Sequence, residues 1–443
     1  MALLVAGAFF MEILDATIIA PAIPAIAASF GVAAVDVNVA ISAYLVTVAV
    51  LIPASGWVAD RFGIRPVFLA AIAVFTIASV GCAVSVSLPM LVVMRVAQGV
   101  GGAMMVPVGR LAVLRSSTKA DLVRAIAMLT WPALAAPVVA PVLGGAIATL
   151  GSWRWIFFVN IPIGIVGLLL ALKLIRGGPA PSVKPFDGRG LLLLGVGITA
   201  ALVGLEHIRV SGTDWTVVGA GAVVAVGCLA AALWHLRRTT SPLVELTVLR
   251  VRTLRITVSG GSLYRLVITA VPFLLPLLFQ LEFGWSAFTA GLMVAALFIG
   301  NLTIKPITTP LMRRFGIKRV LLVNAVLSVG WFGLLAILHP DMPVAVIVAV
   351  LYVSGALRSV GFTAYNSLAF ADVDGEELTH ANTLNAAVQE LAAGLGIAVA
   401  ALLVTVFASY TWAFVALGAL LAVTIVETLR LPGDAGAHVT SAR

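Results

Sequence analysis

Long apolar runs separated by short polar breaks organise this chain. The runs cover approximately residues 3–28, 38–58, 66–86, 88–114, 125–150, 154–175, 190–208, 214–236, 256–282, 287–312, 319–338, 343–370, 383–409 and 411–430. A helix that crosses a bilayer needs about 20 apolar residues. Each run is therefore predicted to be a transmembrane helix, giving fourteen. An even number places both termini on one side. The first run begins at Ala2 with no basic stretch before it, so a signal peptide is not expected and a native N-terminal tail is missing or very short.

Composition narrows the class. Of 443 residues, 62% are hydrophobic and 10% are charged. Soluble domains carry roughly 25% charged residues. Soluble globular, disordered and nucleic-acid-binding readings are set aside, and the chain reads as an all-α integral membrane protein. The net charge of +9 then reports orientation, because Lys and Arg collect in cytoplasmic loops. With the N-terminus cytoplasmic, all but six of the 27 Lys and Arg residues fall on the cytoplasmic side. Arg154 and Arg209 fall opposite, and Arg95, Arg265, Lys305 and Arg358 fall inside spans. Cys82 and Cys228 lie in apolar runs, which predicts two buried thiols and no disulfide. The five histidines sit at loops or span ends, and no metal-ligand set is expected.

An internal repeat divides the chain. Asp60-Arg61-Phe62-Gly63-Ile64-Arg65 follows the second run, and Arg313-Arg314-Phe315-Gly316-Ile317-Lys318 follows the tenth, with Gly63 and Gly316 253 positions apart. Six spans need about 190–200 residues, so the offset contains an insert into which spans seven and eight fit. The expected organisation is a six-helix bundle over 1–175 and a linker over 176–255. The linker carries two extra spans and a basic segment, Arg237 to Arg255, lying on the cytoplasmic membrane surface. A second six-helix bundle over 256–430 and a cytoplasmic tail over 431–443 complete the chain.

Several motifs resemble the major facilitator superfamily, specifically its fourteen-span drug:proton antiporters. Gly56 with Asp60-Arg61-x-Gly63-x-Arg65 resembles the superfamily loop between spans two and three. Arg95 to Ala103, including Gln98, resembles the span-four motif associated with proton coupling. Leu14-Asp15-Ala-Thr17 resembles the first-span motif, and Trp153-Arg154-Trp155-Ile-Phe157-Phe-Val-Asn160 the sixth-span signature. Pro137 and Ala140-Pro141-Val-Leu-Gly144-Gly145 resemble the span-five antiporter motif, with Ala140 where a glycine is usual. The resemblance implies the major facilitator fold, two six-helix bundles plus two extra helices, in a bacterial cytoplasmic (inner) membrane.

A carboxylate in hydrocarbon is costly and should face a cation or a cavity. Asp15 in span one, with Glu12 one turn away, is the candidate proton carrier. Arg95 is its candidate partner, although counting at 1.5 Å per residue puts Arg95 about 10 Å and Asp15 about 20 Å from the same outer side. Pairing then requires Arg95 to reach inward, or water or Gln98 to intervene. Gly56, Asp60, Arg61, Gly63 and Arg65 form the candidate cytoplasmic gate, with Asp372 to Glu377 as a possible acidic partner. Pro137 and Pro141 are expected to kink span five, and Gly144 and Gly145 to let it pack closely. In the second half, Arg265, Lys305 and Arg358 face a single anion, Glu390. That surplus favours an acidic or zwitterionic substrate unless Glu12 and Asp15 balance it; Asn366 completes the candidate cavity residues.

The expected function is proton-coupled export of small organic molecules by alternating access. Uptake by symport or uniport, and lipid flipping on the same scaffold, are the alternatives. No nucleophile–base pair stands out, so an enzyme is not expected. No cofactor is expected, and the proton gradient supplies the energy. The expected partners are the lipid bilayer, protons and a small-molecule substrate, with no nucleic acid, and the chain is expected to act as a monomer.

Overall fold

The computed structural model describes residues 2–116, 122–175, 185–208, 213–374 and 377–432. The basic positions Lys119, Arg176, Lys184, Arg209 and Arg443, and the tail from 433, lie outside the described residues. Among the described residues the secondary structure is helical throughout.

Twelve helices are long and apolar enough to cross a membrane, and a thirteenth span is a bent pair. The predicted fifth span corresponds to α6 below, whose apolar described part, Ala135–Leu150, is shorter. The chain forms two compact units. The first comprises Met1–Ala201, Ala222–Leu243 and Ser286–Gly291, and the second Leu202–Gly221, Val244–Trp285 and Leu292–Arg443.

In the first unit, span one is broken into α1 (Ala2–Ile18) and α2 (Ile23–Phe30). Pro21 sits in the intervening 3₁₀ turn, Ala20–Ala22, and has no N–H to continue an α-helical ladder. Then follow α3 (Asn38–Phe62), α4 (Ile64–Ala83), α5 (Leu88–Ser116), α6 (Leu122–Leu150), the single turn α7 (Trp155–Phe158) and α8 (Asn160–Leu174). The helix α6 continues through Pro137 and Pro141 without interruption. Glycine still does the expected work: Gly144 lies against the Ile18 carbonyl of α1, too close for a Cβ. The substitution at Ala140 does not disturb this, because Ala140 is fully buried.

The two extra spans are α9 (Gly188–Glu206) and α10 (Trp215–Arg238). A polar clasp joins their ends. Asp187 Oδ1 accepts from the Gly190 N–H at 2.8 Å and contacts His235 Nε2 at 2.7 Å, while Oδ2 accepts from the Leu243 N–H at 3.0 Å. Burial alone would raise the Asp187 pKa; the two N–H groups and His235 outweigh it and hold the carboxyl below its ordinary range.

In the second unit, the basic segment after α10 departs from expectation. It forms a loop, a 3₁₀ turn and α11 (Arg252–Ile256), and Val248 and Leu254 are fully buried in the protein instead of facing lipid. The helix α12 (Ser262–Leu277) is flanked by π-helical turns at Thr257–Gly261 and Leu278–Glu282. Next come α13 (Ala287–Thr303) and α14 (Lys305–Phe315), which meet at 47°. The tenth span is thus bent where one straight run was predicted, and Pro306 in the first turn of α14 is the local signal. The unit closes with α15 (Ile317–Ala336), α16 (Val344–Phe370), α17 (Leu378–Phe407) and α18 (Tyr410–Leu429).

The repeat is visible in the backbone. Gly63, between α3 and α4, has φ 87° and ψ 150°; Gly316, between α14 and α15, has φ 77° and ψ 151°. Both lie at positive φ, where a Cβ is strained.

Candidate functional site

The first unit holds a buried polar cluster built from five helices. Asp15 comes from α1, Ser79 and Cys82 from α4, Arg95 and Gln98 from α5, and Asn160 opens α8; Tyr44 of α3 packs beside them. Asp15, Ser79, Cys82, Arg95, Gln98 and Asn160 are all fully buried. Small residues let the helices converge. A Cβ on Gly101 would sit 2.8 Å from the Ala71 carbonyl oxygen, so α5 lies directly on α4. Gly164 is equally tight against Thr76, which seats α8 on α4 and brings Asn160 inward.

The bonds centre on the Asp15 carboxylate. Its Oδ2 is ion-paired with Arg95 Nη1. Its Oδ1 accepts from Gln98 Nε2 at 3.0 Å and from Asn160 Nδ2 at 2.6 Å. Gln98 also donates to Ser79 Oγ at 2.8 Å and accepts from Arg95 Nη1 at 2.9 Å. The Cys82 thiol donates to Gln98 Oε1 at 3.4 Å. Arg95 Nε reaches the Ala40 carbonyl at 3.4 Å, and its guanidinium lies 4.4 Å from the centroid of Tyr44. The side chain of Arg95 therefore reaches inward to Asp15 directly, and Gln98 braces both partners instead of bridging a gap. Glu12 is placed differently: its Oε1 and the Tyr44 hydroxyl both border Gly102.

Such a cluster can hold one proton in exchange for one cation contact. The carboxylate has three polar donors and no water-facing surface. Protonating it removes the charge that Arg95 faces, and a buried guanidinium then needs another partner.

The residues of the candidate gate act locally. Arg65 Nη2 donates to the Leu172 carbonyl at the end of α8 at 3.0 Å. In the second unit Lys318, at the matching repeat position, donates to the Leu429 carbonyl at the end of α18 at 3.2 Å and also to Leu431. Both cations therefore sit at the negative end of a helix dipole. Glu377, from the acidic loop, pairs with Arg250 at 2.6 Å, and positions 375 and 376 of that loop lie outside the described residues. Arg61 is exposed, and Gly56 has open space where a Cβ would stand. Asp60 lies in the last turn of α3, one residue ahead of Arg61. Gly145 lies against the Ala287 carbonyl, and Gly291 against that of Pro141, so the start of α13 nests on α6.

The interior cations of the second unit take different partners. Arg265 on α12 is 3.9 Å from Glu390 on α17, and its guanidinium lies 4.7 Å from the centroid of Phe362. Lys305 Nζ donates to Thr363 Oγ1 at 3.4 Å. Arg358 on α16 lies over Phe298, 5.3 Å from its centroid, and its Nη1 is buried without a partner. Asn366 does not join them: its amide donates to the Phe362 carbonyl of its own helix at 2.9 Å. Tyr264, which sequence reasoning did not single out, donates to the Leu357 carbonyl and accepts from Asn324 Nδ2, both at 3.1 Å.

Sequence reasoning also left Asn160, Ser79 and Cys82 without a role. Asn160 stood inside the quoted sixth-span signature and was the readable signal. Both cysteines are free thiols, though Cys228 is half-buried where full burial was expected. Among the described residues there is no cluster of side chains suited to a metal ion.

The sequence pattern of the Major Facilitator Superfamily matches residues 5–373 and, in a second overlapping match, 257–441. The chain is 34% identical to the "Putative multidrug resistance protein MdtD" of Cronobacter sakazakii, over 99% of this chain and 96% of that one. It is 33% identical to the protein of the same name from Escherichia coli O6:H1, with the same coverage. Among solved structures, a POT family transporter in complex with 5-aminolevulinic acid superposes with a TM-score of 0.71 at 15% identity, covering 98% of this chain and 96% of that one. The D-xylose-proton symporter superposes at 0.68 with 16% identity and 98% coverage of both chains. The paired bundles of membrane-length helices, the repeated glycine turns and these matches together establish that the chain is a multi-pass membrane transporter belonging to the major facilitator superfamily.

Proposed function

We propose that this transporter exports small organic molecules in exchange for protons. It sits in the bacterial inner membrane with both termini cytoplasmic. The observation that carries the proposal is the Asp15 carboxylate, buried and bound at once by Arg95, Gln98 and Asn160. An acidic group enclosed in this way can change its charge only by taking or losing a proton. Each change alters what Arg95 must bind, and so couples protonation to helix packing. The relatives named for multidrug resistance support export over uptake. The basic residues sorted by span support the orientation.

The substrate is acidic or zwitterionic. Arg265, Lys305 and Arg358 outnumber Glu390 in the interior of the second unit, and a cationic drug would meet net repulsion there. Arg265 with Glu390 offers one site of each sign, which suits a zwitterion.

The test is flux in proteoliposomes under an imposed pH gradient, with anionic, zwitterionic and cationic solutes. Gradient-driven flux should fall by at least about 100-fold in Asp15→Asn, as expected when an essential proton-transfer group is removed. Flux that ignores the gradient and survives Asp15→Asn would overturn the coupling. Transport restricted to lipophilic cations would overturn the substrate class.

A further inference from the structure

The second unit contains a small cavity beside Arg358, one of the cations on which the proposed substrate preference rests. Arg358 Nη1 and Ser328 Oγ are both buried and both lack a hydrogen-bond partner. They line one small cavity, together with Tyr264, Trp331 and Ser354. Two of the other polar groups on its wall are committed. The Tyr264 hydroxyl donates to Leu357, and Trp331 Nε1 donates to the Val350 carbonyl at 2.8 Å. Two polar atoms without a partner thus belong to residues of one cavity wall, which holds no carboxylate.

The charge is uncompensated as well. Among the described residues Arg358 has no carboxylate within ion-pairing distance, and Glu390, 3.9 Å from Arg265, is taken up there. Arg265 itself adds positive potential at Arg358. A guanidinium cannot shed its proton to escape burial. Left alone, a buried cation is strongly destabilising, and a water molecule would satisfy hydrogen bonds without neutralising it.

We propose that this cavity is a binding site for a small monovalent anion of halide size, held between Arg358 Nη1 and Ser328 Oγ. The cavity volume of about 20 Å³ sets the limit on size. A cavity of roughly 10–15 Å³ on this measure admits one water-sized guest. A monatomic anion fits, and a carboxylate, phosphate or drug does not. The remaining wall is apolar, including Ile268, Val271, Leu297 and Phe332. That lining favours the less strongly hydrated chloride and bromide over fluoride. The ion would complete the second unit's interior apart from the proton site, and with Arg358 so occupied Arg265 and Lys305 still outnumber Glu390 for the solute.

The experiment uses the full-length protein in nanodiscs, with sodium chloride, bromide or fluoride exchanged against sodium gluconate at constant ionic strength. Chloride and bromide should raise the unfolding midpoint saturably and fluoride should not, because a ligand bound only by the folded state stabilises it. Removing a charged hydrogen-bond partner costs about 1.5–3 kcal/mol, so Arg358→Gln should weaken halide binding roughly 10- to 150-fold. Ser328→Ala keeps the charge and should weaken it less, and it carries the test if Arg358→Gln does not fold. Asp15→Asn should keep the halide response, which separates this proposal from proton coupling. Equal midpoints in halide and gluconate would overturn it, leaving only water in the cavity. So would a halide response unchanged by both cavity substitutions.

Discussion

The interiors of the two units solve the same physical problem in opposite ways. Each buries an arginine in the middle of a bundle of apolar helices. In the first unit, Arg95 meets Asp15, and Gln98 and Asn160 satisfy the rest of the carboxylate. In the second, Arg358 has an aromatic face at Phe298 and, among the described residues, no ion-paired acid, while Glu390 serves Arg265. The duplicated turns show that the units share a backbone plan, so the contrast lies in side chains and not in architecture. A charge neutralised by a protein carboxylate can be switched by one proton. A charge with no such partner can be neutralised only by something that binds. The contrast is what underlies the two proposals, a proton site in the first unit and an anion site in the second.

Four measurements would break or sharpen this contrast. The largest effect should come from Arg95→Gln, which strands Asp15 in the interior. Breaking a buried pair costs about 3–5 kcal/mol. The double variant Asp15→Asn/Arg95→Gln should recover part of that loss in thermal unfolding. By comparison, Arg265→Gln should cost less than about 1 kcal/mol, because that pair is partly exposed and long at 3.9 Å. Equal losses from Arg95→Gln and Arg265→Gln would erase the distinction between a closed pair and an open one.

Next in size are glycine substitutions. Gly144→Ala puts a methyl on the Ile18 carbonyl, a backbone atom that cannot turn aside. About 1–3 kcal/mol of destabilisation is expected. Gly361→Ala in the second unit meets the Tyr264 hydroxyl and Asn324 Nδ2, both side-chain atoms, and should cost less. Unfolding midpoints of the two variants give the comparison directly.

Asp187→Asn tests the clasp on the extra helices. Asn keeps an oxygen that can cap the helix, as good a cap as Asp, and removes the charge that faces His235. Because the folded-state pKa of Asp187 is lowered, its contribution is fully present above the ordinary carboxylate pKa. It disappears as pH falls through the lowered value. The wild type should therefore lose stability over that acidic window relative to Asp187→Asn, and a parallel pH dependence would refute the assignment.

The smallest effects belong to the duplicated loop cations. Arg65→Gln and Lys318→Gln should each cost about 0.3–1 kcal/mol, the value of a cation at a helix C-terminus. Hydrogen exchange should quicken in the last turn of α8 for the first and of α18 for the second. Exchange that changes in neither helix would separate the repeat from its contacts.

Much of this was legible in the residues. The run lengths announced the spans, and the matched Arg-Phe-Gly-Ile announced the duplication that Gly63 and Gly316 realise in their dihedral angles. Asp15 and Arg95 stood out because a charge in an apolar run has few innocent explanations. Asn160, Ser79 and Cys82 were harder to see, since neutral polar groups cost less in a membrane and leave no mark on hydropathy. Depth counting along straight helices could not register the reach of a long arginine side chain, so the direct bond to Asp15 was not legible. The bend at Ile304 was signalled only by Pro306, one of several prolines in the apolar runs, and Pro137 and Pro141 lie within one continuous helix. The Asp187–His235 contact joins residues 48 positions apart across two helix ends, and no local pattern announces it.

The two loop cations also bear on the order of biosynthesis. Arg65 precedes its acceptor Leu172 by 107 residues, and Lys318 precedes Leu429 by 111. At roughly 5–20 residues per second of translation, each cation waits about 5–20 s before the carbonyl that receives it has been made. Because the acceptor always ends the last helix of its bundle, neither contact can form until all six helices of that bundle have left the ribosome. The contact is thus a molecular receipt for a finished bundle, issued once in the first half of the chain and again in the second.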